Sequence, residues 1–244
     1  MWRINLSHMT PKPIETYGGM LTQDELAQRY AYINARIKFD YTEEELSFLM
    51  GKAPYYFADY ERMENGAKLL DEDIEILSDI FYGHLLEGMP FERDEFYSYH
   101  EKRLIRVQKE IKDGMLFYKI IHPWCIRKNK VKVNEPIKFY EILREAVPQE
   151  EQVVKREMNY VLTRLMNRGF FQTKQAPHFI YKEVKKYVNS NVDVYPIYLK
   201  QALYDFLHSG KLILATTNGV MHFILGKSYL ESNTNNLAIH RDNE

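Results

Sequence analysis

The chain is nearly without cysteine. Its one thiol, Cys125, stands among 244 residues, so no internal disulfide can form and no zinc site can be built from cysteine. Such usage fits a reducing compartment, and the expected location is cytoplasmic. Long apolar runs are also missing. No stretch approaches the roughly 20 uninterrupted apolar residues of a membrane helix. The opening MWRINLSHMTPKPIE holds no apolar run of the kind a secretory signal uses. Excess charge of one sign is lacking too, since 33 Lys and Arg face 34 Asp and Glu for a formal net charge of -1. With 45% hydrophobic and 27% charged residues, the composition excludes a disordered polar chain and a collagen-like one. The length allows one large or two small domains.

Catalytic spacing is absent as well. There is no Gly-rich phosphate loop, no HExxH, no GxSxG and no dinucleotide fingerprint. The eight histidines are scattered, with no pair at metal-ligand spacing on one helix. His122 and Cys125 are near neighbours, but Trp124 between them and the basic residues around them mark a packed connector rather than a nucleophile pair. Glu43, Glu44 and Glu45 point around a helix and cannot converge; they suit a helix N-terminus. The expectation is a protein that is not an enzyme and uses no cofactor and no metal.

What is present is a charge asymmetry. Residues 1–100 hold 9 Lys and Arg against 19 Asp and Glu, a balance of -10, and residues 101–244 hold 24 against 15, a balance of +9. An acidic front and a basic back suggest different partners for each, with a polyanion suited to the back. Aromatic residues make up 14%, with Tyr 19 and Phe 13, which supplies core, interface or base-stacking surface.

Along the chain, residues 1–20 read as an irregular arm because of Pro11, Pro13, Gly18 and Gly19. Thr22 with Glu25 and Thr42 with Glu45 each fit a capping box. Each precedes a helix, the first with Leu26, Tyr30, Ile33 and Ile37 at helical spacing and the second ending at Gly51. A third helix follows Pro54 to about Met63, and a fourth starts near Asp71. A long helix is expected from about Glu92 to Lys112, then a strand or buried segment at 115–121. Residues 122–138 form a basic connector with a short strand at Lys130–Val133. Residues 139–171 align over 180–212 at an offset of 41 without a gap. Tyr140 meets Tyr181, Leu162 meets Leu203 and Gly169 meets Gly210, and both copies carry an apolar i, i+3, i+4, i+7, i+8 stripe. After the second copy, Asn218-Gly219 between two apolar runs signals a β-hairpin.

Residues 33–81 carry Arg36, Thr42-Glu43-Glu44-Glu45-Leu46, Leu49-Met50-Gly51, Tyr56-Phe57 and Tyr60-Glu61-Arg62. This resembles the Cro/repressor-type (XRE) helix-turn-helix family over about one fifth of the chain. The resemblance implies an Arg36–Glu61 pair clamping the first helix to the third, and a groove-facing segment at residues 53–59. That segment holds Tyr55, Tyr56 and Asp59 rather than basic side chains, so these three are candidates for a partner or DNA contact. Residues 153–212 hold ten Lys and Arg against four Asp and Glu. Their element order, helix, loop, helix and hairpin, is similar to a winged helix. The candidate DNA-binding residues there are Tyr198, Lys200, Gln201 and Tyr204 on the helix, and Lys211, Thr217 and Asn218 on the wing.

The expected fold class is therefore mainly α with minor β: an N-terminal helix-turn-helix bundle plus C-terminal tandem winged-helix-like units. The expected divisions are an arm at 1–20, a helix-turn-helix domain at 21–88, a linking helix and connector at 89–138, two repeats at 139–179 and 180–228, and a polar tail at 229–244. The expected function is a transcriptional regulator binding duplex DNA mainly through its basic C-terminal half, with a protein partner or second subunit at the acidic N-terminal domain. The alternative is a protein-protein interaction adaptor that uses a helix-turn-helix fold without binding DNA.

Overall fold

The computed structural model describes residues 15–82, 84, 86, 91, 100–128, 131–144, 148–188 and 193–226. Two compact units emerge, and neither is continuous in the chain. Unit 1 draws on residues up to 37, on 60–68 and on 85–145; unit 2 draws on 38–59, 69–84 and 146 onward.

Unit 1 is built on a four-stranded antiparallel sheet. Its strands are β1 (Glu15–Leu21), β2 (Arg103–Lys112), β3 (Met115–Ile121) and β6 (Ile137–Ile142), in the order β1-β2-β3-β6. A separate small ribbon pairs β4 (Ile126–Lys128) with β5 (Val131–Val133). Helix α1 (Gln23–Lys38) starts at the expected capping box: the Thr22 N–H donates to Glu25 Oε2 at 2.9 Å, and the Glu25 N–H donates to Thr22 Oγ1 at 3.1 Å. One sheet face is apolar and buried. Ile105, Val107, Tyr118 and Ile120 pack with Leu21, Leu26, Met63 and Trp124 in one core cluster.

An ionic network is buried beside that core. Arg36 lies 3.4 Å from Glu61, Lys109 lies 2.9 Å from Glu61, and Arg36 donates to both carboxylate oxygens of Glu141. Arg36 and Glu61 are each 1% exposed and Lys109 is 2% exposed. Burial alone would raise the Glu61 carboxyl, but the two adjacent cations outweigh it and hold the group below its ordinary value.

Unit 2 is mainly helical. It contains α2 (Glu43–Leu49), α4 (Asp71–Ile80), α5 (Pro148–Asn167), α6 (Pro177–Val184), α7 (Pro196–His208) and the hairpin β7 (Leu212–Thr217) with β8 (Val220–Leu225). Helix α3 (Tyr56–Arg62) gives its first half to unit 2 and its second half to unit 1. The core of unit 2 holds fully buried Leu46, Leu49, Phe57, Leu77, Met158, Leu162 and Phe223. The Thr42–Glu45 capping box is present, and the second Glu45 oxygen accepts the Ile197 N–H in the first turn of α7 at 3.2 Å. The hairpin turns on Asn218 at φ 51 and Gly219 at φ 70, the left-handed pair that a tight two-residue turn requires.

The expectation of a mainly α protein is overturned. Eight strands accompany seven helices among the described residues, so the fold is a mixture of helix and antiparallel sheet. Three readings produced the error. Residues 103–112 are strand β2, not the end of a long helix; the earlier part expected for that helix, residues 92–99, lies outside the described residues. Leu104, Val107 and Ile111 fall at helical spacing, while the true alternation is Ile105, Val107 and Lys109 inward. Residues 15–20 of the expected arm belong to β1, where a Cβ on Gly18 would lie 2.3 Å from the Ile105 carbonyl oxygen. The tandem units fail because residues 139–142 of the first copy belong to strand β6 in unit 1, and the copy then continues into a single 20-residue helix, α5. Among the described residues, the single hairpin β7–β8 accompanies helices α5, α6 and α7, and no second helix–hairpin unit repeats it. The polar tail from residue 229 lies outside the described residues.

Candidate nucleic-acid interface

The candidate residues of the basic C-terminal half lie in unit 2, but several are already engaged. Lys200 Nζ sits 2.5 Å from Glu44 Oε1 and is only 19% exposed. One of the candidate cations is therefore paired within the unit, by a carboxylate of acidic α2. Tyr198 is half-buried with its ring 6.2 Å from that of Tyr195, and Gln201 is half-buried. Tyr204 stays exposed beside Asp205, which pairs with Lys155 at 3.3 Å. Lys211 lies over the Phe206 ring at 4.9 Å. Lys174 donates to the Thr217 hydroxyl at 3.0 Å, and Asn218 is exposed at the turn.

Of the groove-facing candidates, Tyr55 is 73% exposed and Asp59 is exposed. Tyr56 is tied down: its hydroxyl donates to Asp73 Oδ2 at 2.5 Å, and Lys52 lies 2.8 Å from the other Asp73 oxygen. Burial pushes the Tyr56 hydroxyl well up, and its bond to the Asp73 carboxylate adds to this. The Arg36–Glu61 contact is present, though Glu141 and Lys109 share it.

Of the connector candidates, His122 is buried and Cys125 is half-buried. His122 clusters with the rings of Phe91 and Trp124, and burial lowers the imidazole's pKa. Among the described residues no group of three His, Cys, Asp or Glu could hold a metal ion. No helix is long and apolar enough to cross a membrane among them.

A different surface gathers unengaged cations and rings. The sheet of unit 1 buries one face, so its register places alternate residues on the other. Gln108 stands opposite Lys119, and Lys119 opposite Lys138, in one row across β2, β3 and β6. The next row carries Glu110, Phe117 and Tyr140, and the one beyond it Lys112, Met115 and Ile142. Arg106 lies on the same face, opposite Gly18. The Phe117 and Tyr140 rings sit 5.9 Å apart at 42°, and Tyr140 is 53% exposed. A shallow groove of about 470 Å³ runs over this face, lined by Gln108, Glu110, Lys112, Phe117, Lys119 and Lys138.

The electrostatics of that face are one-sided. Arg106, Lys112, Lys119 and Lys138 outnumber the single carboxylate of Glu110, and none of the four has an ion-pair partner among the described residues. Two lysines placed directly opposite across antiparallel strands repel one another and destabilise the pairing. An anion lying between them would turn that repulsion into attraction. A signal for this surface was present in the sequence. Asp113-Gly114 joins β2 to β3 as Asn218-Gly219 joins β7 to β8, with Asp113 at φ 50 and Gly114 at φ 73. Reading that pair as a hairpin would have set Lys119 and Phe117 on one face.

Comparison of the chain with protein-family models, with curated proteins and with solved structures finds no match.

Proposed function

We propose that the protein binds nucleic acid, and that the open sheet face of unit 1 receives it as a single strand. The observation that carries this is the Phe117–Tyr140 pair beside the Lys119–Lys138 pair on one exposed antiparallel face. Rings on a sheet offer stacking surface to successive bases regardless of sequence, and cations in the neighbouring row meet the backbone phosphates. Successive rows on one face are two residues apart along a strand, about 7 Å, which is the scale of one nucleotide step. Binding of duplex DNA by α7 and the hairpin has weaker support, because Lys200 is held by Glu44 and Lys155 by Asp205.

The adaptor reading draws on a specific feature as well. Met20 and Leu104 stand opposite each other at a corner of the same face, 55% and 52% exposed, and exposed apolar pairs of this kind suit a protein partner.

One binding series separates these. A fluorescent oligo(dT) of about 12 nucleotides and a duplex of the same length are titrated with the whole chain at low salt, read by anisotropy. The single strand is expected to bind, and Phe117→Ala with Tyr140→Ala to weaken it by at least tenfold, since base–aromatic stacking contributes about 1–3 kcal/mol per base. Absence of single-strand binding at low salt, or affinity unchanged in the double variant, overturns the assignment. Duplex binding that survives that variant but falls on Lys211→Glu would move the interface to the hairpin.

A further inference from the structure

The groove over the open sheet face of unit 1 holds one residue of the wrong charge for a phosphate backbone. Glu110 lines it, half-buried, on β2 directly opposite Phe117 of β3. Lys112 follows two positions along β2, and Lys119 stands diagonally across on β3, opposite Gln108. Diagonal neighbours across antiparallel strands are about 7–8 Å apart, within reach of long side chains. Glu110 nevertheless has no ion-pair partner among the described residues. Left alone, an acid at that point weakens the pull of the surrounding cations on a polyanion. Resting on the single-strand reading above, we propose that Glu110 reads the base stacked on Phe117 and selects guanine.

Placement is the first support. Glu110, Phe117 and Tyr140 form one row across three strands, while Lys119 and Lys138 form the next row with Gln108. The row of rings takes the bases and the row of lysines the phosphates, and the carboxylate belongs to the row of rings. Directly opposite residues on antiparallel strands have Cβ atoms about 4.5–5.5 Å apart, so a base lying on Phe117 brings its polar edge to the Glu110 side chain. Hydrogen-bond chemistry is the second support. A carboxylate only accepts, through two oxygens side by side. Guanine alone among the common bases sets two donors side by side on one edge, its N1–H and its 2-amino group. In adenine and cytosine the amino donor adjoins a ring-nitrogen acceptor, and in thymine and uracil the one N–H lies between two carbonyls. Each of those edges therefore turns lone pairs toward the carboxylate, and only guanine meets it with a matched pair of donors. Hydrogen bonds to an ionised acceptor are of the stronger kind, so a guanine converts the one repulsive group on the face into an anchor.

The test uses the full chain and fluorescent single strands of equal length, read by anisotropy. They are oligo(dT), an alternating thymine–guanine strand and an alternating thymine–inosine strand. Inosine keeps the purine stacking surface and the N1–H but lacks the 2-amino group. The guanine strand is expected to bind about tenfold more tightly than oligo(dT), the scale of one bidentate base contact, and the inosine strand to lose most of that gain. Glu110→Gln should abolish the guanine preference and at the same time raise affinity for oligo(dT), because a repulsive charge leaves the face; a merely structural loss would lower both. The guanine edge is the same on DNA and RNA, so uracil–guanine and uracil–inosine ribo-strands run beside the others, and the backbone with the larger preference identifies the source. Equal affinity for the guanine and inosine strands on both backbones, a comparison that needs no variant, overturns the assignment, as does a preference that survives Glu110→Gln. Those two results leave the single-strand reading standing. No binding of any strand at low salt overturns that reading and this inference with it.

Discussion

Glu61 shows how much one buried side chain can determine. It is fully enclosed between Arg36 and Lys109, and its charge is what allows two cations to sit at 1% and 2% exposure. Removing one partner of a buried ion pair leaves an uncompensated charge in a poorly solvating interior, which destabilises by about 3–5 kcal/mol. Glu61→Gln keeps the shape and deletes the charge, so urea unfolding of the variant should show a loss of about 3 kcal/mol, softened because Glu141 still faces Arg36. Adding Lys109→Met to that variant should recover part of the loss, since the ammonium that has lost Glu61 goes with it. The pH dependence has a definite sign. The Glu61 pKa is lower folded than its ordinary 4.5, so its stabilisation is complete above that value and disappears as pH falls through the folded value. Denaturant midpoints of the native chain should therefore drop below pH 4.5 more steeply than those of Glu61→Gln. Equal acid slopes in the two would show that folding does not lower the Glu61 pKa.

At the level of elements, the parts of the fold that could be read were those with local chemistry. The Thr22–Glu25 and Thr42–Glu45 boxes fixed where α1 and α2 begin, because each joins two residues three apart. The Asn-Gly pair fixed the turn of β7 and β8, because only a left-handed backbone closes so short a loop. Strand β2 was hidden by long-range chemistry. Its inward series runs Ile105, Val107, Lys109, and a lysine at a core position looks like a solvent residue until Glu61, distant in sequence, is known to neutralise it. Strand β1 was hidden by glycine, which reads as a loop former but here permits close approach of two backbones. The candidate site followed the same rule. The residues of α7 and the hairpin were located by local pattern, whereas the face holding Phe117, Lys119, Lys138 and Tyr140 exists only once three strands are in register. Two glycine substitutions separate the two causes. A Cβ on Gly219 meets nothing within 4 Å, so Gly219→Ala is opposed only by its left-handed φ, about 1 kcal/mol. Gly18→Ala drives a methyl into the Ile105 carbonyl and should lower thermal stability by several times as much. It should also expose the β1–β2 amides to hydrogen exchange. Equal losses in the two variants would mean that β1 is not held against β2 in this register.

For the whole molecule, net charge is a poor guide to what it attracts. The sum is -1, yet Lys200 of α7 is paired with Glu44 of α2 inside unit 2, while the sheet face of unit 1 keeps four cations and one acid. On the proposed reading, attraction of a polyanion belongs to the part of the basic half that forms this face, not to α7 and the hairpin. Salt titration measures the difference. Single-stranded nucleic acid releases about 0.7 counterions per phosphate neutralised, so four cations give a slope of log K against log salt of about -3. Lys119→Glu with Lys138→Glu removes two of the four and adds two repulsive charges, so the slope should fall to about -1.5 or less, with affinity lost mostly at low salt. A protein partner docking on Met20 and Leu104 through apolar burial would bind with a slope near zero and would be indifferent to the same two substitutions. The slope in the unaltered chain thus decides which class of partner the face serves, and its change in the variant decides whether these two lysines belong to it.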